Sequence, residues 1–339
     1  MKFPRPAWSA SWRKPVSQPS ATRPTQGTSR HPGLAEAQSL GARLPALLVA
    51  AERVAATVAQ GVHGRRRAGM GDSFWQYRQA LPGEPASRID WRQSARSSRA
   101  YVRETEWEAA QTVYLWHDAS PSMHWRSQAT QPLKAERAEL LLLALASLLL
   151  RGGEHVRLLG HGGARSALVS GQNGLRHLAA QLLVPDPDRP HGPSDEPGLP
   201  SRTIELPRHS RLVLIGDLLA EPAQIEALFA RLSAIPVGCT VLQILDPAEL
   251  SLPYEGRVRF EGLEGETSIL TPRAQELGSA YAAAMASHQQ RLATLCARSG
   301  FGLTRHRTDQ PPQSALLALH QALHQVRPLA GFGRLAGTA

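Results

Sequence analysis

Thr112-Val113-Tyr114-Leu115-Trp116-His117-Asp118-Ala119-Ser120-Pro121-Ser122-Met123 decides how this chain is read. Thr112 to Trp116 is a short β-leaning run that gives way at once to a polar loop. A strong helix follows from Leu133 to Leu150, and Gly152 with Gly153 stops it. The same alternation continues downstream. His155 to Leu159 is read as a second strand, Ala167 to Val169 as a third and Leu175 to Leu183 as a helix. Arg211 to Ile215 is apolar without alternation, as expected of a strand buried on both faces of a parallel sheet. Pro222 to Ser233 reads as a helix with proline in its first turn, and Thr240 to Leu245 as another buried strand. Val258 to Leu270 suggests a hairpin, Pro272 to Arg298 a long helix, Gly302 to His306 a last strand and Ser314 to Val326 a last helix. This spacing predicts a doubly wound, mostly parallel α/β sheet. In such sheets the working loops lie at the carboxyl ends of the strands.

Two strand ends carry acids. Asp118, Ser120 and Ser122 are spaced by two, so in an extended loop their oxygens project to one side. One carboxylate and two hydroxyls are hard ligands of the kind Mg²⁺ accepts while keeping several waters. Such a sparsely charged set leaves the ion able to take a further carboxylate from another protein. The plainer alternative is an aspartate and two serines making turn and helix-cap hydrogen bonds. Asp217 follows the strand Arg211 to Ile215, opens on the same crevice and could hold the ion through a water. Its plainer alternative is an acid near the first turn of the next helix.

Upstream, Leu34 to Ala59 reads as a helix with Leu40, Leu44, Leu47, Leu48, Ala51 and Val54 at helical spacing. Arg65 to Glu108 is different in character, with aromatics, arginines and turn chemistry at Leu81-Pro82-Gly83-Glu84; it predicts a small strand-rich module. In it Arg88, Asp90 and Arg92 alternate, as do Glu104, Glu106 and Glu108, so in strands each set lines one face. Opposite charges there can pair internally. Alternatively, Trp75, Tyr77, Trp91 and the arginines anchor a docking surface, since aromatics and Arg are enriched at interface hot spots.

The strand-end acids resemble the metal-ion-dependent adhesion site of the von Willebrand factor A fold. The segments Gly61 to Arg67, Gly69 to Arg78, Pro82-Gly83-Glu84, Arg88 to Arg96 and Tyr101 to Glu106, with the late Leu245-Asp246-Pro247-Ala248-Glu249-Leu250, resemble the bacterial family called domain of unknown function 58. The resemblance runs from about Leu34 to about Val326. It implies a von Willebrand factor A-like fold and a partnership with a MoxR-type AAA+ ATPase, acting on a client protein in maturation or remodelling. It also implies that Asp118, Ser120 and Ser122 hold Mg²⁺, with Asp217 orienting a metal-bound water. Ala80 stands where the family has an aromatic, and Glu84 replaces an aspartate. The second loop of the adhesion site, which should offer a threonine, falls in a Pro-rich insert at 185–200; only Ser194, Ser201 or Thr203 could serve.

The remaining signals bound the answer. The chain has 339 residues, 42% of them hydrophobic, enough for a sizeable core. Two cysteines, Cys239 and Cys296, are too few for a disulfide scaffold or a cysteine-built zinc site. The longest unbroken apolar run, Leu140 to Ala146, extends through Ser147 to Leu150, far short of the ~20 residues needed to span a bilayer. The net charge is +10, but Lys2, Arg5, Arg13, Lys14, Arg23 and Arg30 precede the first acid, Glu36. This Pro-rich basic tail, residues 1–33, is expected to be disordered, and it lacks the apolar core of a secretory signal. Residues 34–110 are then the helix and strand-rich module, 111–327 the α/β domain and 328–339 a flexible end, in a cytoplasmic protein. His320 and His324 lack the glutamate of a zinc helix. No phosphate loop and no nucleophile elbow is complete. The expected function is therefore a non-enzymatic interaction module. The alternatives are a Mg²⁺-dependent phosphohydrolase with His117 as base, and nucleic-acid binding through the tail, ranked last because the charge lies outside the fold.

Overall fold

A computed structural model describes residues 32–61, 68–81, 84–106, 111–160, 167–183, 198–201, 204, 206–208, 210–263 and 268–325. The basic tail to residue 31, Arg65 to Arg67, most of the Pro-rich insert, Ser194, Thr203, Glu108 and residues 328–339 lie outside that description, as do the side chains of Trp75, Arg88, Glu104, Glu106 and His324.

By internal packing the chain divides into two units, Ala59–Gln111 and the remainder. The first helix, α1 (Pro32–Gly61), falls mostly in the larger unit, whereas the sequence grouped it with the strand-rich module. The reason is its apolar stripe. Ala51, Val54, Ala55 and Val58 are buried, and Arg43 pairs with Glu139 at 3.2 Å.

The smaller unit is built on one antiparallel ribbon, β1 (Ala68–Gln79) with β2 (Tyr101–Glu106). Between them lie a 3₁₀ turn (Ala86–Arg88) and a short helix, α2 (Trp91–Ser94). The expected strand alternation of Arg88, Asp90 and Arg92 is therefore corrected: Asp90 caps α2, accepting from Gln93 N at 3.0 Å, and the local capping bond wins over extension. Arg78 closes a two-pronged ion pair on Glu84, which also accepts from Leu81 N at 2.8 Å. Glutamate at this turn thus reaches both the strand and the loop.

The larger unit is a five-stranded, wholly parallel sheet with helices packed against it. In chain order its elements are β3 (Thr112–His117), α3 (Lys134–Arg151), β4 (His155–Leu158), α4 (Gly171–Leu183), β5 (Arg211–Gly216), α5 (Pro222–Ser233), β6 (Gly238–Leu245) and α6 (Pro247–Ser251). A hairpin, β7 (Val258–Phe260) and β8 (Ile269–Thr271), precedes α7 (Gly278–Ser299), β9 (Gly302–Arg307) and α8 (Pro312–Gln325). The spatial order is β4-β3-β5-β6-β9. Two readings change. Ala167 to Val169 forms no strand, only a bridge from Val169 to Val156. The long helix begins at Gly278, after a 3₁₀ turn over Ala274–Leu277.

Alternation across the pleat assigns the two faces. Tyr114, Trp116, Leu212, Leu214, Cys239 and Val241 pack with Ile225, Leu228, Phe229 and Leu232 of α5 and Leu292 and Cys296 of α7. Val113, Leu115, Val213, Ile215, Leu242 and Ile244 are equally buried and alternate with the first set, so they project from the opposite face. There α3 packs against α4 and α8. Helix α3 is apolar nearly all round, from Leu141 to Leu150, as a helix enclosed by the sheet and two neighbours must be. Among the described residues no helix is long and apolar enough to cross a membrane.

From β3 the chain moves outward to β4, then returns to the other side of β3 for β5 and continues to β6 and β9. The reversal lies between β3 and β5. Loops part there at the carboxyl ends, which opens a crevice. Asp118 leaves β3 and Asp217 leaves β5 at that point.

Candidate metal centre

The four expected residues converge. Asp118 N donates to the Ile215 carbonyl at 2.7 Å, extending the β3–β5 ladder by one residue and fixing where the loop departs. Asp118 Oδ1 accepts from Ser120 N at 2.8 Å. The Ser120 and Ser122 hydroxyls lie 2.9 Å apart, and Ser122 Oγ donates to Asp217 Oδ2 at 2.8 Å. Because that bond uses Ser122's one hydroxyl hydrogen, Ser120 is the donor between the two serines. The hydroxyls are thus ordered in one direction, toward Asp217. All four residues are buried.

Asp217 is held from several sides. Leu219 N donates to its Oδ1 at 3.2 Å, and Gln243 Nε2 donates to its carbonyl at 3.0 Å. The next residue, Leu218, has φ 53°, in the left-handed region that branched side chains rarely enter. Its carbonyl accepts from His288 Nε2 at 2.8 Å, and burial holds this imidazole below its ordinary pKa, in the neutral form.

Two residues not expected from the sequence complete the cluster. Lys134, 0% exposed, donates to Asp217 Oδ2 at 2.8 Å and to Glu249 Oε1 at 2.5 Å. It stands in the first turn of α3, the positive end of the helix, where a cation is disfavoured by about 0.3–1 kcal/mol. The helix alone therefore gives no reason for a lysine; the two carboxylates do. Burial lowers the affinity of this amine for its proton, but Asp217 and then Glu249 outweigh burial, and the ammonium is held well above its usual range. Of the two carboxylates, burial raises both, yet only Asp217 ends below its ordinary value, because the Lys134 charge and the bonds from Lys134, Ser122 and Leu219 N favour its anion. Glu249 is pushed up to about 7 by burial, with the Lys134 charge opposing and the Asp217 charge adding to the rise. One ammonium cannot neutralise two acids, and the better-bonded one keeps the charge.

Glu249 and Asp246 form a capping box at the end of β6: Asp246 Oδ1 accepts from Ala248 N, and Glu249 Oε2 accepts from Asp246 N, each at 2.8 Å. Asp246 Oδ2 also accepts from Ser127 N at 3.0 Å, which ties the loop before α3 to the end of β6. This spacing, Asp246-Pro247-Ala248-Glu249, was the available sequence signal. For Lys134 the only signal is a cation where the helix dipole disfavours one.

Two glycines make room for the site. At Gly216 a Cβ would lie 2.9 Å from Asp118 Cβ, which is closer than two such carbons approach. At Gly198, with φ +80°, a Cβ would lie 3.3 Å from Asp118 Oδ2 and 3.9 Å from Ser120 Oγ. The end of the Pro-rich insert thus approaches Asp118 and Ser120 at Gly198 with backbone alone. Ser201, the described hydroxyl of that loop, is buried and its carbonyl accepts from Arg231 at 3.2 Å.

These residues fit Mg²⁺. The donors are hard oxygens, and Ser120 Oγ and Ser122 Oγ are separated by 2.9 Å. That matches the roughly 2.9 Å edge of an octahedron with metal–oxygen bonds of about 2.0–2.1 Å. The space a Cβ at residue 198 would fill lies against Asp118 Oδ2 and Ser120 Oγ. Among the described residues no group of three or more His, Cys, Asp or Glu side chains is placed to hold a metal ion, so the serine hydroxyls are indispensable to the set. His117 Nδ1 lies 3.3 Å from the Asp118 carbonyl, and the residue is buried at the end of β3.

A family model described as "Protein of unknown function DUF58" matches residues 76–291, well over half of the chain. The chain belongs to this family. Uncharacterized proteins of Mycobacterium bovis and Mycobacterium tuberculosis are 24% identical over 246 residues, covering 71% of this chain and 76% of their own length. Two solved structures are also similar. The conserved hypothetical protein BatB from Bacteroides thetaiotaomicron is 18% identical, with a TM-score of 0.37, covering 64% of this chain and 98% of that one. An aerotolerance-related membrane protein from Bacteroides fragilis is 20% identical, with a TM-score of 0.35, covering 63% and 99%. The family match begins at Gln76 in β1 and takes in Asp118, Ser120, Ser122, Lys134, Asp217 and Glu249.

Proposed function

We propose that this DUF58 chain is a non-enzymatic protein-interaction module of von Willebrand factor A-like architecture, working in the cytoplasm through a metal-ion-dependent adhesion site. Asp118, Ser120 and Ser122 would hold Mg²⁺ directly, and Asp217 would hold it through water. When bound, the ion supplies an electrophilic position for a carboxylate of another protein. The chain's own residues prepare that position. Asp217 takes the Ser122 hydrogen and Ser122 takes that of Ser120, so each hydroxyl keeps a lone pair for the ion. Lys134 keeps Asp217 anionic and in place. Gly198 keeps a side chain out of the space beside Asp118.

The observation that carries this reading is the Ser122–Asp217 bond, which joins the two strand-end loops on either side of the sheet's reversal. The proposed partner is a MoxR-type AAA+ ATPase, together with a client protein under maturation or remodelling; this follows from the resemblance of the Gly61 to Met123 block. Co-purification with such an ATPase, with and without EDTA, tests it. Wild type should be retained only without chelator, and Asp118→Ala should be lost in both. Retention of Asp118→Ala in EDTA would contradict the metal-bridged mechanism. Hydrolysis of a phosphoester, abolished by Asp118→Ala, would move the protein to the enzyme class.

A further inference from the structure

The smaller unit carries a surface that the metal centre does not use. Trp91 is 63% exposed, Leu81 63% and Tyr77 39%, an unusual display for large side chains that are mostly buried on folding. Trp91 opens a run in which Arg92, Arg96 and Arg99 are all exposed. Among the described residues none of these three arginines has an ion pair. Residues 87–102 contain Arg88, Arg92, Arg96 and Arg99 against one acid, Asp90, so the segment has a net charge of +3.

We propose that the Trp91–Arg99 segment docks an acidic segment of a partner protein, with Trp91 as the apolar anchor and Arg92, Arg96 and Arg99 pairing with its carboxylates. The composition is that of a hot spot, where Trp, Tyr and Arg carry most of the energy. The segment is presented on a rigid frame. Asp90 N donates to the Tyr101 carbonyl at 2.8 Å, Ile89 bridges to Val102, and Ser94 Oγ accepts from Tyr101 N at 2.8 Å. The charge pattern selects a peptide over a nucleic acid. Asp90 stands beside Trp91, its carboxylate accepting from Gln93 N and, at 3.3 Å, from the Tyr77 hydroxyl. A fixed anion next to the Trp91 anchor repels a continuous phosphate backbone, whereas a peptide can set its acids against Arg92, Arg96 and Arg99 and leave the position beside Asp90 uncharged.

The test uses the full chain and two fluorescent probes, a poly-glutamate peptide and a single-stranded oligo-dT, read by anisotropy at low salt. Wild type should bind the peptide more tightly than the oligonucleotide. Trp91→Ala should weaken peptide binding by about tenfold or more, a typical loss for a tryptophan anchor. Combined Arg92→Glu, Arg96→Glu and Arg99→Glu should abolish it. Arg176→Glu with Arg298→Glu, exposed positions in the larger unit, should bind as wild type. Circular dichroism melting curves should superimpose, since every altered side chain is exposed. Equal binding by the patch variants, or an equal loss in the control, overturns the proposal; tighter patch-dependent binding of oligo-dT would reassign the surface to nucleic acid. The metal site takes no part, so EDTA leaves these results unchanged and the two proposals fail separately.

Discussion

Lys134 and Ser122 share one acceptor: Lys134 Nζ and Ser122 Oγ each approach Oδ2 of Asp217 to 2.8 Å. A permanent cation and a candidate metal ligand are therefore coupled through a single buried oxygen. In the proposed metal site this would leave Asp217 to act through water. Oδ2 already serves two donors, and Oδ1 accepts from Leu219 N.

Removing the cation should be severe. Lys134→Met leaves the Asp217 anion buried without its counter-charge, and breaking such a pair costs about 3–5 kcal/mol. Urea denaturation should show the loss, and adding Asp217→Asn should restore part of it by removing the stranded charge. A double variant no more stable than Lys134→Met would show that Asp217 is not what Lys134 neutralises.

The glycines should separate stability from ligand geometry. Gly216→Ala forces a Cβ to within 2.9 Å of Asp118 Cβ and should destabilise by about 1–3 kcal/mol while displacing Asp118. Gly198→Ala, at φ +80°, should lose about 1–2 kcal/mol from backbone strain. Its methyl also lies 3.3 Å from Asp118 Oδ2, so Mg²⁺ affinity should fall even in the folded protein. Calorimetry on the folded variant checks this; unchanged Mg²⁺ affinity would remove Gly198 from the site.

Acid should weaken the fold through His306. This residue, 2% exposed in β9, has its pKa lowered to about 4 by burial, with Arg137 adding to the shift and Asp309 opposing it. The unfolded imidazole titrates near 6.5, so between these values the unfolded chain binds more protons. The stabilisation is complete above pH 6.5 and is lost as pH falls toward 4, by roughly 3 kcal/mol. Urea midpoints measured across that window should fall less steeply for His306→Phe than for wild type. Parallel profiles would assign the acid sensitivity elsewhere.

How much was legible depends on the range of the signal. β5 and β6 announce themselves because a strand buried on both faces must be apolar throughout, and Asp118 and Asp217 stand out as the first acids past such runs. Ser120 and Ser122 converge for a different reason than the extended loop expected from their spacing of two: a 3₁₀ turn over Pro121–Met123 brings the Ser122 hydroxyl beside that of Ser120. Lys134 was hidden because a lysine opening an apolar helix looks like an ordinary solvated first turn; only Asp217 and Glu249, 83 and 115 residues away, make it a core residue. Gly198 was hidden for a similar reason, since nothing local reveals what its missing Cβ would touch. The strand periodicity expected around Asp90 failed where a side chain capped the backbone, a local bond that outcompetes extension. The helix at Pro32–Gly61 went to the other unit because its buried face, not its place in the chain, decides its neighbours.

Titration of Mg²⁺ into the wild-type chain and into Asp118→Ala by isothermal calorimetry addresses the metal centre most directly. The wild type should give a single-site isotherm and the variant, still folded by circular dichroism, none. Heat of binding that is the same in both, or absent from the wild type, would contradict the account.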